Sequence, residues 1–343
     1  MDRDDTTLGF FPLWVDELAH YFEHIEVIAL GTGVYDLPAH VSVHSLGKEH
    51  GAPPLRKLVY TLRLYKLAWR LRPKYDAVFV HQGQEFLLVA GLLWRLLGKP
   101  TYLWRNHYEG SVLTALAGKF TRKVFYTSRY SYTASFANAK QMPVGVRTDA
   151  RLPEGSEARE ERSILSLGRI SPSKNLHVII EALGILHKKG VAFVATMRGK
   201  TEPEDEPYLE SLKRQVQELG IEPLVRFGPG VPNPQTPALY RSHKIFVNAS
   251  GSGMLDKAIF TASASGCAVV ACSQDWAQMV DERFTFPEGD ANALAQRLEA
   301  LLNLSEDEQK KAGLELREMA VGKHSLSSLA RALGVQMGAS VVE

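Results

Sequence analysis

Short apolar, β-rich runs alternate along the chain with longer stretches of helical periodicity. Ile25–Ala29 and Val41–Ser45 read as strands. Leu55–Leu71 reads as a helix, opened by Pro53-Pro54 and closed before Pro73, as proline prefers. Ala77–His81 is a strand, Glu85–Leu97 a helix ending at Gly98, and Thr101–Trp104 and Val124–Thr127 are further strands. A second cycle begins at Ser163: Ile164–Leu167, a helix over Leu176–Lys188, Ala192–Met197, a helix over Tyr208–Leu219, then Val225–Phe227, Ile245–Asn248 and Ala268–Ala271. Helices over Ala291–Leu302 and Glu306–Val321 follow. Such alternation predicts an α/β chain of parallel sheets with helices on both faces.

A doubly wound sheet normally opens on an apolar strand. Here the chain starts in what reads as the following turn, Asp2–Thr7, and enters a helix over Leu8–Tyr21, so the first strand of the N-terminal domain is expected to be missing. The polar stretch from Gly145 to Arg162 is punctuated by Gly and Pro and reads as a connection between domains. The expected division is an N-terminal domain over 1–148, a linker over 149–162, a C-terminal domain over 163–324, and a last helix within 325–343 that crosses back to the first domain.

Length and composition fit this plan. The 343 residues exceed one ordinary domain, and 45% apolar content allows sizeable cores. Net charge is only +2, too small to argue for nucleic acid, but it is unevenly spread: 18 Lys/Arg against 13 Asp/Glu in residues 1–150, and 22 against 25 in the remainder. The two cysteines, Cys267 and Cys272, have no metal-ligand spacing and read as small buried residues of a reducing cytosol. His20 and His24 lie four apart with no carboxylate cluster, so no metal is demanded. The start Met1-Asp-Arg-Asp-Asp is not a signal peptide, and the longest apolar stretch, Phe86–Trp94, is too short to span a bilayer. The expected location is the cytoplasm, with the inner face of the membrane as a peripheral option.

Two segments carry candidate chemistry. In Leu167-Gly-Arg-Ile-Ser-Pro-Ser-Lys-Asn175 a strand ends at Gly168, a turn holds Arg169 and Lys174, and a helix begins. Two cations beside a helix N-terminus suit a diphosphate, although an ordinary strand–turn–helix with solvated charges reads the same way. In Asn248-Ala-Ser-Gly-Ser-Gly-Met-Leu-Asp-Lys257, Gly251-Ser-Gly253 precedes a helix of small residues, and bare amides there could hold a phosphate or sugar oxygen. Both segments fall at carboxyl ends of strands, where open parallel sheets bind ligands.

These segments resemble the donor-binding domain of the family-4, GT-B glycosyltransferases. The resemblance is carried by Gly168-Arg-Ile-Ser-Pro-Ser-Lys-Asn175, Phe227-Gly-Pro-Gly-Val-Pro-Asn233, Ala238-Leu-Tyr-Arg241, Phe246-Val-Asn-Ala-Ser250, Leu255-Asp-Lys257, Ala264-Ser-Gly-Cys-Ala-Val-Val270 and Pro287-Glu-Gly-Asp290. The first half resembles the family's acceptor domain more loosely. The fold implied is GT-B: two Rossmann-like, doubly wound domains facing across a cleft. Arg169 and Lys174 would neutralise the donor diphosphate, and His107 matches a position near the transferred sugar. The implied donor set is Gly168, Gly228, Gly230, Val231, Ser250, Ser252, Gly253, Met254, Leu255, Asp256 and Thr261. The family's two sugar-loop glutamates fall on Gly253, as in a variant with a GxLDK loop, and on Thr261, which cannot give the ribose a charged bidentate grip.

The resemblance therefore implies a retaining, metal-independent glycosyltransferase without a cofactor. It would take a UDP- or GDP-sugar as donor and a glycan or lipid-linked acceptor. Two alternatives stay open: a nucleotide-sugar-binding relic without turnover, which Thr261 favours, and a nucleotide-sugar epimerase. One further feature bears on partners. Lys48–Lys74 holds eight cations and one acid, and Arg56, Arg63, Lys66 and Arg70 share a side of the helix, with Leu58, Leu62, Tyr65 and Trp69 along another stripe. Such a helix suits an anionic membrane surface, or else a core-packed helix with a solvated basic edge.

Overall fold

The structure is a computed structural model that describes residues 1–6, 8–51, 53–148 and 159–339. The chain divides into two compact units, Met1–Gly145 with Leu326–Glu343, and Val146–Ser325.

The first unit runs α1 (Phe11–Ala19), β1 (Ile25–Ala29), β2 (Val41–Ser45), α2 (Arg56–Leu71), β3 (Val78–His81), α3 (Gln84–Leu96), β4 (Thr101–Trp104), α4 (Val112–Lys119), β5 (Lys123–Tyr126) and β6 (Ala139–Gln141). All of its strand pairings are parallel. The two-residue period of each strand sends alternate side chains to opposite faces. Val80, Leu103 and Val124 pack under α2, α3 and α4, through Leu64, Leu87, Trp94 and Ala117. Tyr102, Trp104 and Phe125 pack on the other face against Trp14 of α1.

This unit is not one sheet. Strands β1 and β2 form a two-stranded ribbon, and β3-β4-β5-β6 form a separate four-stranded sheet. Ile28 of the ribbon and Leu46 just after it still share a core with Val80. Among the described residues no strand pairs with β1 on its second edge. The Met1 ammonium donates to the Gly31 carbonyl, and the Gly33 N–H donates back to Met1.

The second unit runs β7 (Ser163–Leu167), α5 (Leu176–Lys188), β8 (Val194–Arg198), α6 (Glu206–Glu218), β9 (Val225–Gly228), α7 (Thr236–Arg241), β10 (Ile245–Asn248), α8 (Lys257–Ala264), β11 (Ala268–Ala271), α9 (Gln274–Ala277), α10 (Ala291–Leu302) and α11 (Glu306–His324). The order β11-β10-β7-β8-β9 is parallel throughout and reverses direction between β10 and β7, as in a Rossmann sheet. Helix starts follow their sequence signals. Asp290 accepts from the Ala293 N–H at the head of α10, and Ser305 with Glu308 forms a capping box on α11.

Residues 149–158 of the expected linker lie outside the described residues, as does Thr7 of the expected opening turn. Arg159 is no free connector: its guanidinium donates to the carbonyls of Tyr240, His243 and Ser265. The last helix, α12 (Leu326–Met337), packs on α1 within the first unit, burying Leu329 and Leu333 beside Trp14. Helix α1 is shorter than its apolar pattern suggests. The pattern also gave no sign of α4, rich in small residues, or of β6, a short edge strand.

Burial, with Lys323 nearby, pushes the His324 imidazole down to about 4, against Phe260 at 4.4 Å between ring centroids. Burial also lowers His243, whose ring meets Thr196 and the Leu239 carbonyl. The unfolded chain takes up these protons near pH 6.5 and the folded chain does not, so stability present above that value is lost as pH falls towards 4. His324→Leu should flatten the melting profile between pH 6.5 and 4, recovering about 3 kcal/mol at the acid end, with residual slope from His243. An unchanged acid slope would contradict the burial of a neutral His324.

Candidate donor site

The sheet reversal between β7 and β10 leaves a crevice at the carboxyl ends of the strands. A narrow pocket occupies it, lined by Gly168, Arg169, Lys174, Arg198, Asn248 and Ser250 among others, with no carboxylate in the lining. Two glycines, Gly168 and Gly199, continue the sheet beyond β7 and β8, and Gly228 closes β9. The Gly168 N–H donates to the Arg198 carbonyl at 3.0 Å, the Ile170 N–H to Lys200 at 3.0 Å, and the Gly199 N–H to Gly228 at 3.2 Å. A Cβ on Gly199 would stand 1.7 Å from the Gly168 carbonyl oxygen, so only glycine permits this approach.

Asn175 ends the cationic turn in a left-handed conformation, φ 49°, and its side-chain amide donates to the Ala249 carbonyl at 3.1 Å. That bond joins the two segments singled out in the sequence. A stronger tie runs from the Lys174 ammonium to Asp256 Oδ2 at 2.5 Å, with both side chains less than a fifth exposed. Asp256 also accepts from the Asn248 side chain at 3.1 Å and, through Oδ1, from the Ala258 N–H at 3.1 Å, capping α8. Burial alone would raise the Asp256 carboxyl. The adjoining Lys174 charge and these donors outweigh it and hold the group below its usual value.

Arg169 is exposed and has no hydrogen bond or ion pair among the described residues. Arg198, which the sequence reading passed over, places its guanidinium on the Pro229 carbonyl at 3.2 Å beside Gly228. Its signal was a cation closing a strand immediately before a glycine. Three cations less the Asp256 carboxylate leave a net charge of about +2, which matches a diphosphate diester.

The sugar-loop residues lie beside this crevice. Gly253 has φ 98°, which a glutamate would adopt only under strain, so the residue type and the backbone agree. Leu255 is buried at φ 42°. The Ser252 hydroxyl accepts from the Gln274 N–H at 2.9 Å, and Met254 lies half-buried between these positions. The Ser250 N–H donates to Asn248 Oδ1 at 3.0 Å, while its hydroxyl is buried without a partner among the described residues. Thr261 turns its hydroxyl onto the Lys257 carbonyl of its own helix, at 3.0 Å. Gly230 and Val231 are half-buried after β9. Burial and the Glu288 carboxylate push the Cys272 thiol up to about 12, which makes it a poor nucleophile.

His107 belongs to the first unit, after β4. Its Nδ1 accepts from the Glu109 N–H at 3.0 Å, which assigns the ring proton to Nε2, and the ring stacks on Tyr108.

The model of the family described as Glycosyl transferases group 1 matches residues 161–304. The GDP-mannose-dependent alpha-(1-6)-phosphatidylinositol monomannoside mannosyltransferase of Mycobacterium tuberculosis is 26% identical over 196 residues, 52% of this chain and 48% of that protein. The alpha-monoglucosyldiacylglycerol synthase of Streptococcus pneumoniae is 32% identical over 111 residues, 32% of this chain and 24% of that protein. The chain thus spans about half the length, or less, of these curated relatives. Anabaena HepE, solved in complex with UDP and glucose, matches with a TM-score of 0.77 at 19% identity over 98% of both chains, and shows the fold. That fold is GT-B, with two Rossmann-like domains. The stretch matched by the group 1 glycosyl transferase model, residues 161–304, holds the whole candidate donor pocket.

Proposed function

We propose that the protein transfers a sugar from a nucleoside-diphosphate sugar to a glycan or lipid-linked acceptor, with retention and without a metal ion. The observation that carries this reading is the carboxylate-free pocket at the sheet reversal, where Arg169, Lys174 and Arg198 meet exposed backbone and the unpartnered Ser250 hydroxyl. As the bond between sugar C1 and the distal phosphate oxygen breaks, its electron pair stays on the phosphate. Fixed cations stabilise that growing charge most where water is excluded. Three side-chain cations supply the neutralisation that a metal supplies elsewhere.

The two relatives named for lipid-borne sugars support a lipid-linked acceptor, and GDP-mannose and UDP head the list of donors to try. His107, at the carboxyl end of a sheet strand, is proposed to face the transferred sugar. We place the protein in the cytoplasm, at the inner face of the membrane, with Arg56, Lys66 and Arg70 of α2 towards the lipid. Arg63 belongs to the same exposed set, and its guanidinium also donates to the Leu46 carbonyl within the first unit. Thr261 favours one second reading, a nucleotide-sugar-binding protein with weak turnover, because its hydroxyl is already engaged.

Calorimetry with UDP, GDP and their sugars, followed by transfer assays, separates the readings. Arg169→Ala should weaken nucleotide-diphosphate binding by ~1–3 kcal/mol at unchanged melting temperature, since Arg169 supports nothing in the fold. Lys174→Ala should weaken binding similarly but also cost roughly 3 kcal/mol of stability, because it strands the Asp256 charge. Pairing it with Asp256→Asn should restore the stability and not the affinity. Full affinity in Arg169→Ala and in the Lys174→Ala/Asp256→Asn pair would sink the assignment. Thr261→Glu should tighten nucleotide binding about tenfold, the scale of a charge-assisted hydrogen bond. No gain there would remove the ribose from this position.

A further inference from the structure

The helices α2, α3 and α4 cover one face of the four-stranded sheet with their buried sides, and their outer sides are unusually apolar for a water-exposed layer. Leu58, Leu62 and Trp69 of α2 are each more than half exposed. Leu96 of α3 and Val112 of α4 are exposed by 77% and 84%. The faces adjoin. The Tyr65 hydroxyl of α2 donates to the Val89 carbonyl of α3, and Leu92 and Leu96 follow Val89 on the same side of that helix. Exposed patches of this breadth mark interaction sites.

The charge around this face is mostly positive. Helix α2 carries five cations and no acid, α3 carries Glu85 and Arg95, and α4 carries only Lys119. At the foot of α3 and α4 lies an open depression of about 520 Å³, lined by Arg95, Lys99, Lys119 and Arg122. Lys99 is partly engaged, 3.6 Å from Asp76 and over the Tyr75 ring. Arg95, Lys119 and Arg122 have no side-chain partner among the described residues. Two helix C-termini end here and contribute roughly half a negative charge each. Three unpaired cations outweigh that, so the depression attracts anions.

We propose that this depression seats the phosphate of an anionic phospholipid, with Leu92, Leu96 and Leu116 entering the headgroup layer beside it, so that the α2–α3–α4 face docks the protein on a bilayer. Apolar side chains beside a cationic socket fit the boundary between headgroups and acyl chains, and a soluble anion would leave the leucines in water. Among the described residues no helix is long and apolar enough to cross a membrane, so attachment of this kind would be peripheral. The inference rests on the membrane placement proposed above, which it extends to a defined surface, and not on the donor assignment.

Co-sedimentation of the full chain with phosphatidylcholine vesicles, with and without phosphatidylglycerol, tests it. Wild type should pellet with the anionic vesicles only. Arg95→Gln/Lys119→Gln/Arg122→Gln should weaken that binding about 100-fold, from roughly two-thirds of a tenfold step per lost cation. A control with equal charge loss elsewhere, Lys188→Gln/Lys310→Gln/Lys311→Gln, should bind as wild type. Leu92→Ser/Leu96→Ser should also release the protein, at unchanged melting temperature. Nucleotide binding by calorimetry should be the same in every variant, which separates this test from the donor site. Equal binding to neutral vesicles, full binding by the Gln triple, or an equal loss in the control would overturn the proposal. So would inorganic phosphate titrating the depression in a protein that ignores vesicles.

Discussion

The second unit is organised around one ion pair. Lys174 comes from the turn after β7 and Asp256 from the head of α8, yet their charged atoms are 2.5 Å apart and largely out of solvent. Neither charge would be tolerable there alone. The pair therefore fixes where the turn sits relative to the sugar loop, and Asn248 and the Ala258 N–H complete the cluster. The same arrangement leaves Lys174 sharing its charge with Asp256 until an anion arrives. On the proposed reading, a diphosphate would be attracted by the pocket's surplus of positive charge and not by any single cation.

Backbone geometry supplies the rest of the site. Gly168 and Gly199 carry the sheet's hydrogen-bonding outward past β7 and β8, onto the Arg198 and Gly228 carbonyls, which fixes the backbone at the floor of the crevice. The first unit repeats the parallel α/β logic with a different emphasis. Its sheet is divided, and its helical layer presents leucines and arginines outward.

Much of this was legible from the residues. The two-residue and 3.6-residue periods placed most strands and helices within a few positions, because strands buried on both faces, such as Thr101–Trp104, leave strong apolar signals. Short, polar edge strands leave almost none, which is why Ala139–Gln141 was passed over. The two chemistry-bearing segments were visible as a cationic turn and a glycine loop. Their union was not, since the Lys174–Asp256 contact joins residues 82 apart in sequence. Arg198 escaped notice because a single cation at a strand end is indistinguishable from a solvated one until its neighbours are known. The basic edge of α2 was readable, but the leucines of α3 and α4 beside it looked like core. Only burial separates Leu92 and Leu96, which face outward, from Leu87, which does not.

The most direct test of the account is a crystal structure with UDP or GDP bound. The pyrophosphate should lie within hydrogen-bonding distance of the Arg169 guanidinium and the Lys174 ammonium, above the Gly168 and Ser250 backbone. A nucleotide seated elsewhere on the chain, with Lys174 still paired to Asp256 and Arg169 in solvent, would contradict it.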